Sequence, residues 1–352
     1  MKTSEVDMYA EAKLNPHMIT IARESRGYTH LELSEIIQIS KSTAWRLEQD
    51  NPAATEETLS KLSNTLHYPV SFFFQQGEVL PMSLSYRRSD VVSAKLLSQI
   101  EANINIYRLN LEQLLSAMQW KETDLPVLDV SKYGSPQECA KQLRKLWKIE
   151  KGAINNVSEI LEKNKILLIK SDFGTELVDG RFVMASKKFP VIVTNKSMLG
   201  DRQRFTLAYQ IGMLVMHLHT SPAFNRDLSH EANLFAAELL MPAKDITGDL
   251  QELGLPKLAE LKKKWKVSMQ ALVYRANDLE IISDNNKRYL LQQFNQQNIR
   301  RREPPELDIP TEQYKLVRDL MTQYRTKQKL SVAKMADFLH LEQEDFLQRY
   351  ND

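Results

Sequence analysis

KILLIKSDFGTELVDGRFVMASKKFPVIVTNKSMLG, residues 165–200, decides the fold class. Its runs 166–169, 181–185 and 191–194 are short and β-branched or alternating, and Gly174, Gly180 and Pro190 punctuate them, so three short strands are expected. Three such strands make a small sheet, not a barrel. Helical spacing governs both sides of it. Upstream, Leu96, Leu97, Ile100, Ile104, Leu111, Leu114 and Leu115 mark a long amphipathic helix over 91–118, whole or broken once, that bridges domains. Ser135 and Pro136 start a helix over 136–148, and another is expected over 155–163. Downstream, helices are expected over 202–219, 229–240, 256–265 and 268–279. A polar joint over 295–305 and an amphipathic helical tail follow. The fold class is therefore mainly α with a small β-sheet, α+β.

The 352 residues exceed a usual single domain, and 42% hydrophobic with 26% charged residues describes an ordinary globular chain. The lone cysteine, Cys139, has no second thiol for a disulfide or a thiolate metal site, which fits a reducing cytoplasm. Residues 1–15 carry Glu5, Asp7 and Glu11 and no apolar run, so no signal peptide is expected, and no apolar stretch is long enough to span a bilayer. Net charge is +2, which by itself favours neither a polyanion nor a membrane surface. A nucleic-acid role has to come from a motif.

Residues 15–76 supply one. Short helices begin after Pro16, with Thr29 and Ser40 as N-cap residues and only Gln38 and Ile39 between two of them. Two helices joined by a tight turn are the geometry that lays the second in the DNA major groove. In Ser40-Lys41-Ser42-Thr43-Ala44-Trp45-Arg46-Leu47-Glu48, Lys41, Ser42 and Arg46 project together while Ala44 and Leu47 face inward. Arg46 can contact guanine with two hydrogen bonds. Through Gly77 the unit has seven basic and ten acidic residues, net −3, so one copy should hold DNA weakly and a dimer on two half-sites is the natural arrangement. The same charge keeps open a small helical bundle used for protein contacts.

With Tyr28-Thr29-His30-Leu31-Glu32-Leu33-Ser34, Ile39-Ser40-Lys41-Ser42-Thr43, Arg46-Leu47-Glu48 and Tyr68-Pro69-Val70-Ser71-Phe72-Phe73, this segment resembles the lambda-repressor-like (XRE-type) helix-turn-helix family, a five-helix unit. The resemblance implies operator DNA as partner and Thr29, His30, Lys41, Ser42, Thr43 and Arg46 as DNA-binding residues. His30 stands where that family usually has a glutamine on phosphate.

Arg204-Phe205-Thr206-Leu207-Ala208-Tyr209-Gln210-Ile211-Gly212-Met213-Leu214-Val215-Met216-His217 and Glu231-Ala232-Asn233-Leu234-Phe235-Ala236-Ala237-Glu238-Leu239-Leu240-Met241-Pro242 resemble the ImmA/IrrE metallopeptidases. In His-Glu-x-x-His two imidazoles share a helix face and bind zinc, and the glutamate activates the metal's water. Here Tyr209, Gln210 and Met213 take those places: a phenol that ligates zinc poorly, an amide that accepts no proton and a neutral thioether. Glu231 lies where relatives supply a further ligand. The resemblance implies the fold without the activity, so no catalytic residue, metal or cofactor is expected, and a filled core is favoured over a cofactor pocket. His217 and His219 lie on nearly opposite helix faces and cannot share an ion, whereas His217 and His230 can approach across two helices. The helical pair over 258–279 looks like a second helix-turn-helix in that family, and its contact with DNA stays open. The basic runs 262–264 and 300–302 read first as solvated faces.

The expected division is a helix-turn-helix domain over 1–78, a helical linker or dimerisation region over 79–164, a pseudo-metallopeptidase domain over 165–295 and a helical tail over 296–352. The expected role is a cytoplasmic, homodimeric transcriptional regulator, an autorepressor of a mobile-element or toxin–antitoxin operon. Two alternatives stay open: an antitoxin that binds a toxin encoded nearby, and an active peptidase that cleaves a repressor.

Overall fold

The computed structural model describes residues 13–49, 54–79, 87–88, 92–186, 188–220 and 226–350. The amino-terminal unit is built from α1 (Pro16–Ser25), α2 (His30–Ile36), α3 (Lys41–Leu47) and α4 (Glu56–Leu66). Its fifth helix is a 3-10 turn, Val70–Phe74. The caps expected from sequence form. Thr29 Oγ1 accepts from Glu32 N while Glu32 accepts from Thr29 N, and Ser40 accepts from Thr43 N. Gln38 makes the tight turn by adopting a left-handed φ of 56°. Met18, Ile19, Leu33, Leu47, Leu62, Phe72 and Phe73 bury the inner faces.

One unbroken helix, α5 (Ala94–Ala117), runs from this unit to the sheet and packs on both α1 and a β-strand. Short helices α6 (Val130–Tyr133), α7 (Pro136–Leu146) and α8 (Val157–Lys163) follow. The sheet contains the three expected strands, β2 (Leu167–Ser171), β3 (Val178–Ala185) and β4 (Phe189–Asn195), and a two-residue strand, β1 (Arg87–Arg88), too short for a sequence pattern to reveal. The order is β1-β3-β4-β2. The β3–β4 pair is antiparallel, with Phe182 opposite Ile192, whereas β2 runs parallel to β4, with Leu168 opposite Ile192.

Side chains alternate across the pleat, so this sheet divides two apolar cores. Leu167, Ile169, Val191 and Val193 face the amino-terminal unit and α5. Ile166, Leu168 and Ile192 join the other core, with α9 (Gly200–His217), α10 (Leu228–Leu240), α11 (Ala243–Ile246), α12 (Leu255–Trp265), α13 (Met269–Asp278) and α14 (Asp284–Gln296). The last helices, α15 (Leu316–Lys327), α16 (Val332–Phe338) and α17 (Gln343–Tyr350), return to the first core, where Leu320, Met335, Leu339, Phe346 and Tyr350 are buried. Between the two cores the chain makes a close crossing: a Cβ on Gly200 would lie 2.2 Å from the carbonyl oxygen of Ile309. Among the described residues no helix is long and apolar enough to cross a membrane.

The basic run at 262–264 is not uniformly solvated as expected. Lys262 is 1% exposed, and its Nζ lies 2.6 Å from both Asp201 Oδ2 and Glu303 Oε2. A helix that is basic in sequence can turn one lysine inward when two carboxylates replace its water. Arg204 with Glu312 and Arg275 with Glu238 are two further buried pairs.

Candidate nucleic-acid interface and the α9–α10 site

Helix α3 presents Lys41, Ser42 and Arg46 to solvent and buries Ala44 and Leu47, as its spacing requires. Ser40 Oγ lies 2.8 Å from both Ser42 Oγ and Thr43 Oγ1. Thr43 Oγ1 in turn accepts a long 3.5 Å bond from Arg46 Nη2. Thr43 is half-buried, so it orients Arg46 and offers little surface of its own. Arg46 keeps the rest of its guanidinium free for an acceptor. Thr29 is exposed, but its hydroxyl serves the cap of α2.

His30 departs from the expectation of an outward donor. Its Nε2 is buried 3.1 Å from Glu48 Oε2, and Glu48 also accepts from Arg23 Nε at 2.6 Å and Thr20 Oγ1 at 2.9 Å. Only the other ring nitrogen is left to meet a phosphate. Glu32 pairs with Lys95 Nζ at 2.8 Å, and that bond and those from Thr29 hold its carboxyl at about 2. One acidic charge near α2 is thus countered by α5.

Sequence reading passed over Trp45. It is 53% exposed on the same edge as Lys41 and Arg46, where an apolar side chain has no core to fill. The signal was available: if Ala44 and Leu47 face inward, residue 45 faces out.

On α9, Tyr209 is 1% exposed and donates to Ser229 Oγ at 3.2 Å. Gln210 Nε2 donates to the Gly180 carbonyl at 3.0 Å, tying α9 to β3. Met213 is buried, and Gly212 makes room for Phe235 of α10, whose Cδ1 would stand 2.7 Å from an added Cβ. Tyr209, Gln210 and Met213 are thus all buried among neighbouring side chains. Glu231 is engaged as well, since Arg226 grips both its oxygens, at 2.6 Å and 2.5 Å.

His217 Nε2 lies 3.4 Å from Glu231 Oε2. Burial, partly offset by Glu231, lowers its pKa and keeps the ring neutral. His230 lines a cleft with α13 residues, and His217 does not. Among the described residues, no three His, Cys, Asp or Glu side chains are grouped to hold a metal ion. Cys139 is buried, and desolvation pushes its thiol up to about 11, which leaves no reactive thiolate. The zinc that the resemblance implies does not fit these residues: where it would place two ligands stand a phenol and a thioether, and the Glu231 carboxylate is taken by a guanidinium.

Residues 19–73 match a helix-turn-helix family model, and residues 161–277 match the model of the IrrE N-terminal-like domain. No curated protein matches the chain. The chain is therefore a fusion of an XRE-type DNA-binding helix-turn-helix domain with an IrrE/ImmA-like, metallopeptidase-type domain.

Proposed function

We propose that this protein is a sequence-specific transcriptional regulator, an autorepressor of its own operon, and that its IrrE-like domain carries out no hydrolysis. The observation that carries the DNA half is the exposed edge Lys41, Ser42 and Arg46 on a helix capped at Ser40. Arg46 is the base-reading residue, Lys41 adds a base or phosphate contact and Ser42 a tolerant one. Two copies bind two half-sites, because a unit with net charge −3 neutralises too few phosphates alone. The burial of Tyr209, Gln210 and Met213 and the Arg226 grip on Glu231 support the non-hydrolytic half. An operon pairing it with a toxin would make the large domain the toxin's docking partner.

The test is to titrate the purified protein onto DNA from upstream of its own gene, against scrambled DNA of equal length, at two salt concentrations. Tight binding to the upstream DNA, lost in Arg46→Ala, is expected. Equal affinity for both DNAs would remove the repressor role and leave a protein-contact module.

A further inference from the structure

A cleft of about 690 Å³ opens between the start of α9, α10, α13 and the segment 300–303. None of Tyr209, Gln210, Met213 and Glu231 lines it, so it is separate from the metal-type site. Its volume lies within the range of small-molecule pockets. Phe205, Leu234, Ala237 and Met241 supply apolar lining, and the ring of Tyr274, 46% exposed, stands on one wall.

Six arginine and lysine side chains and four carboxylates line it. Residues 255–302 hold eleven basic and four acidic residues, net +7, in a chain whose total is only +2. Most cations at the cleft are already balanced. Lys262 holds Asp201 and Glu303, Arg202 holds Asp179 at 2.5 Å, Arg302 holds Asp308 at 2.6 Å, and Arg275 holds Glu238. Two are not: Arg300 and Arg301 are exposed at the cleft and have no carboxylate partner among the described residues, Arg300 reaching only Asn295 Oδ1 at 3.4 Å. Glu176 and Asp278 also line the cleft. Asp278 is offset by Arg275, His230 and Lys287, which act on it from three helices.

Two unbalanced guanidiniums call for a bidentate anion, and an exposed aromatic ring over an apolar floor calls for a flat, partly apolar group. A mononucleotide carries both, and its size suits a cleft of this volume. We propose that the cleft binds a nucleotide, with phosphate on Arg300 and Arg301 and the base against Tyr274, while His230 and Asn233 of α10 meet its polar edge. This site stands apart from the DNA reading, because it needs neither α3 nor an operator.

The experiment is calorimetric titration of the full chain, without DNA, with the four nucleoside monophosphates and their triphosphates, the matching nucleosides and inorganic phosphate. Saturable one-site binding of a nucleotide is expected, with its nucleoside and phosphate each at least about tenfold weaker. Arg300→Ala with Arg301→Ala, both at exposed positions, should weaken the nucleotide about tenfold or more and leave the nucleoside unchanged. Tyr274→Ala should weaken nucleotide and nucleoside together. Three results overturn the proposal: no nucleotide binding at millimolar concentration, undiminished binding in the double arginine variant, or a nucleoside or phosphate that binds as tightly as the nucleotide. A short DNA duplex that displaces the nucleotide and binds more tightly through the same arginines would also overturn it and make this face a nucleic-acid surface.

Discussion

Arg26 at the end of α1 and Asp345 of α17 lie 319 residues apart in sequence, and the guanidinium Nη2 stands 3.3 Å from the carboxylate Oδ2. Arg349 extends the contact. It donates to Asp345 Oδ1 at 3.1 Å, to Asn103 Oδ1 of α5 at 2.9 Å and to the Tyr68 hydroxyl at 3.4 Å, and it stacks 5.1 Å from the Tyr107 ring centre. About two turns beyond Asn103 on α5, Asn110 accepts from Tyr350 and donates to the Leu339 carbonyl, each at 2.9 Å. Helices near residue 350 thus brace the helix-turn-helix unit on α5, against which α1 also packs directly.

Arg349→Ala therefore removes the cation from a buried cluster and leaves Asp345 and Asn103 short of a donor. A loss of about 3 kcal/mol in unfolding free energy is expected, with Arg349→Lys recovering only part because an ammonium lacks the planar fork. Urea unfolding followed by circular dichroism reads it. A change below about 0.5 kcal/mol would put the cluster in the class of surface pairs.

Arg46→Ala should weaken operator binding by about 1–3 kcal/mol with unchanged thermal stability, since the side chain is exposed and bonds only to Thr43. Trp45→Ala should leave stability equally unaffected and change which base pairs are preferred, as an apolar contact to a thymine methyl group would. A selection from randomised duplexes gives both answers. An identical binding site for the Trp45 variant would remove that residue from the interface.

Restoring the metal motif tests the reading of α9. The triple change Tyr209→His, Gln210→Glu, Met213→His should take up little zinc, because Arg226 still occupies Glu231. Adding Arg226→Ala should raise zinc toward one ion per chain, measured by elemental analysis after dialysis. Full zinc in the triple variant would show that the guanidinium is no obstacle, and none in either would deny the helix its metal-binding geometry.

His217 and His340 are both lowered in pKa by burial, from an ordinary value of 6.5. The unfolded chain then binds protons at a higher pH than the folded one. Their contribution to stability is complete above about pH 6.5 and is lost as pH falls toward the folded values. Around His217 the charged neighbours are Glu231, which opposes the shift, and Arg226, which adds to it. Denaturant unfolding between about pH 5 and pH 7 should show stability rising with pH, and His217→Gln should flatten that slope. A slope unchanged by the substitution would mean that the imidazole keeps its unfolded-state affinity for protons.

The parts of this molecule that were legible in sequence are those fixed by near neighbours. Thr29 and Ser40 announce helix starts because a hydroxyl reaches an amide three residues on. Leu167, Leu168 and Ile169 announce a short strand, and in the fold they divide between two cores. What escaped depends on distant partners. Lys262 reads as one lysine of three until Asp201 and Glu303, 61 and 41 residues away, are seen to enclose it. Arg226 is five residues from Glu231, yet nothing in that spacing distinguishes a grip on both oxygens from a surface pair. His30 looked like a donor for phosphate because its inward partner, Glu48, lies on the far side of the turn.

The shared core of the first and last helices has a consequence for synthesis. On the ribosome α1 to α5 emerge, and can pack, well before the α17 residues that brace them. Contacts between the two ends of a polypeptide form slowly, since the whole intervening length must first be closed into a loop. Without α17 the unit would keep its direct packing of α1 on α5 and lose the Arg26–Asp345 and Arg349–Asn103 contacts that brace it.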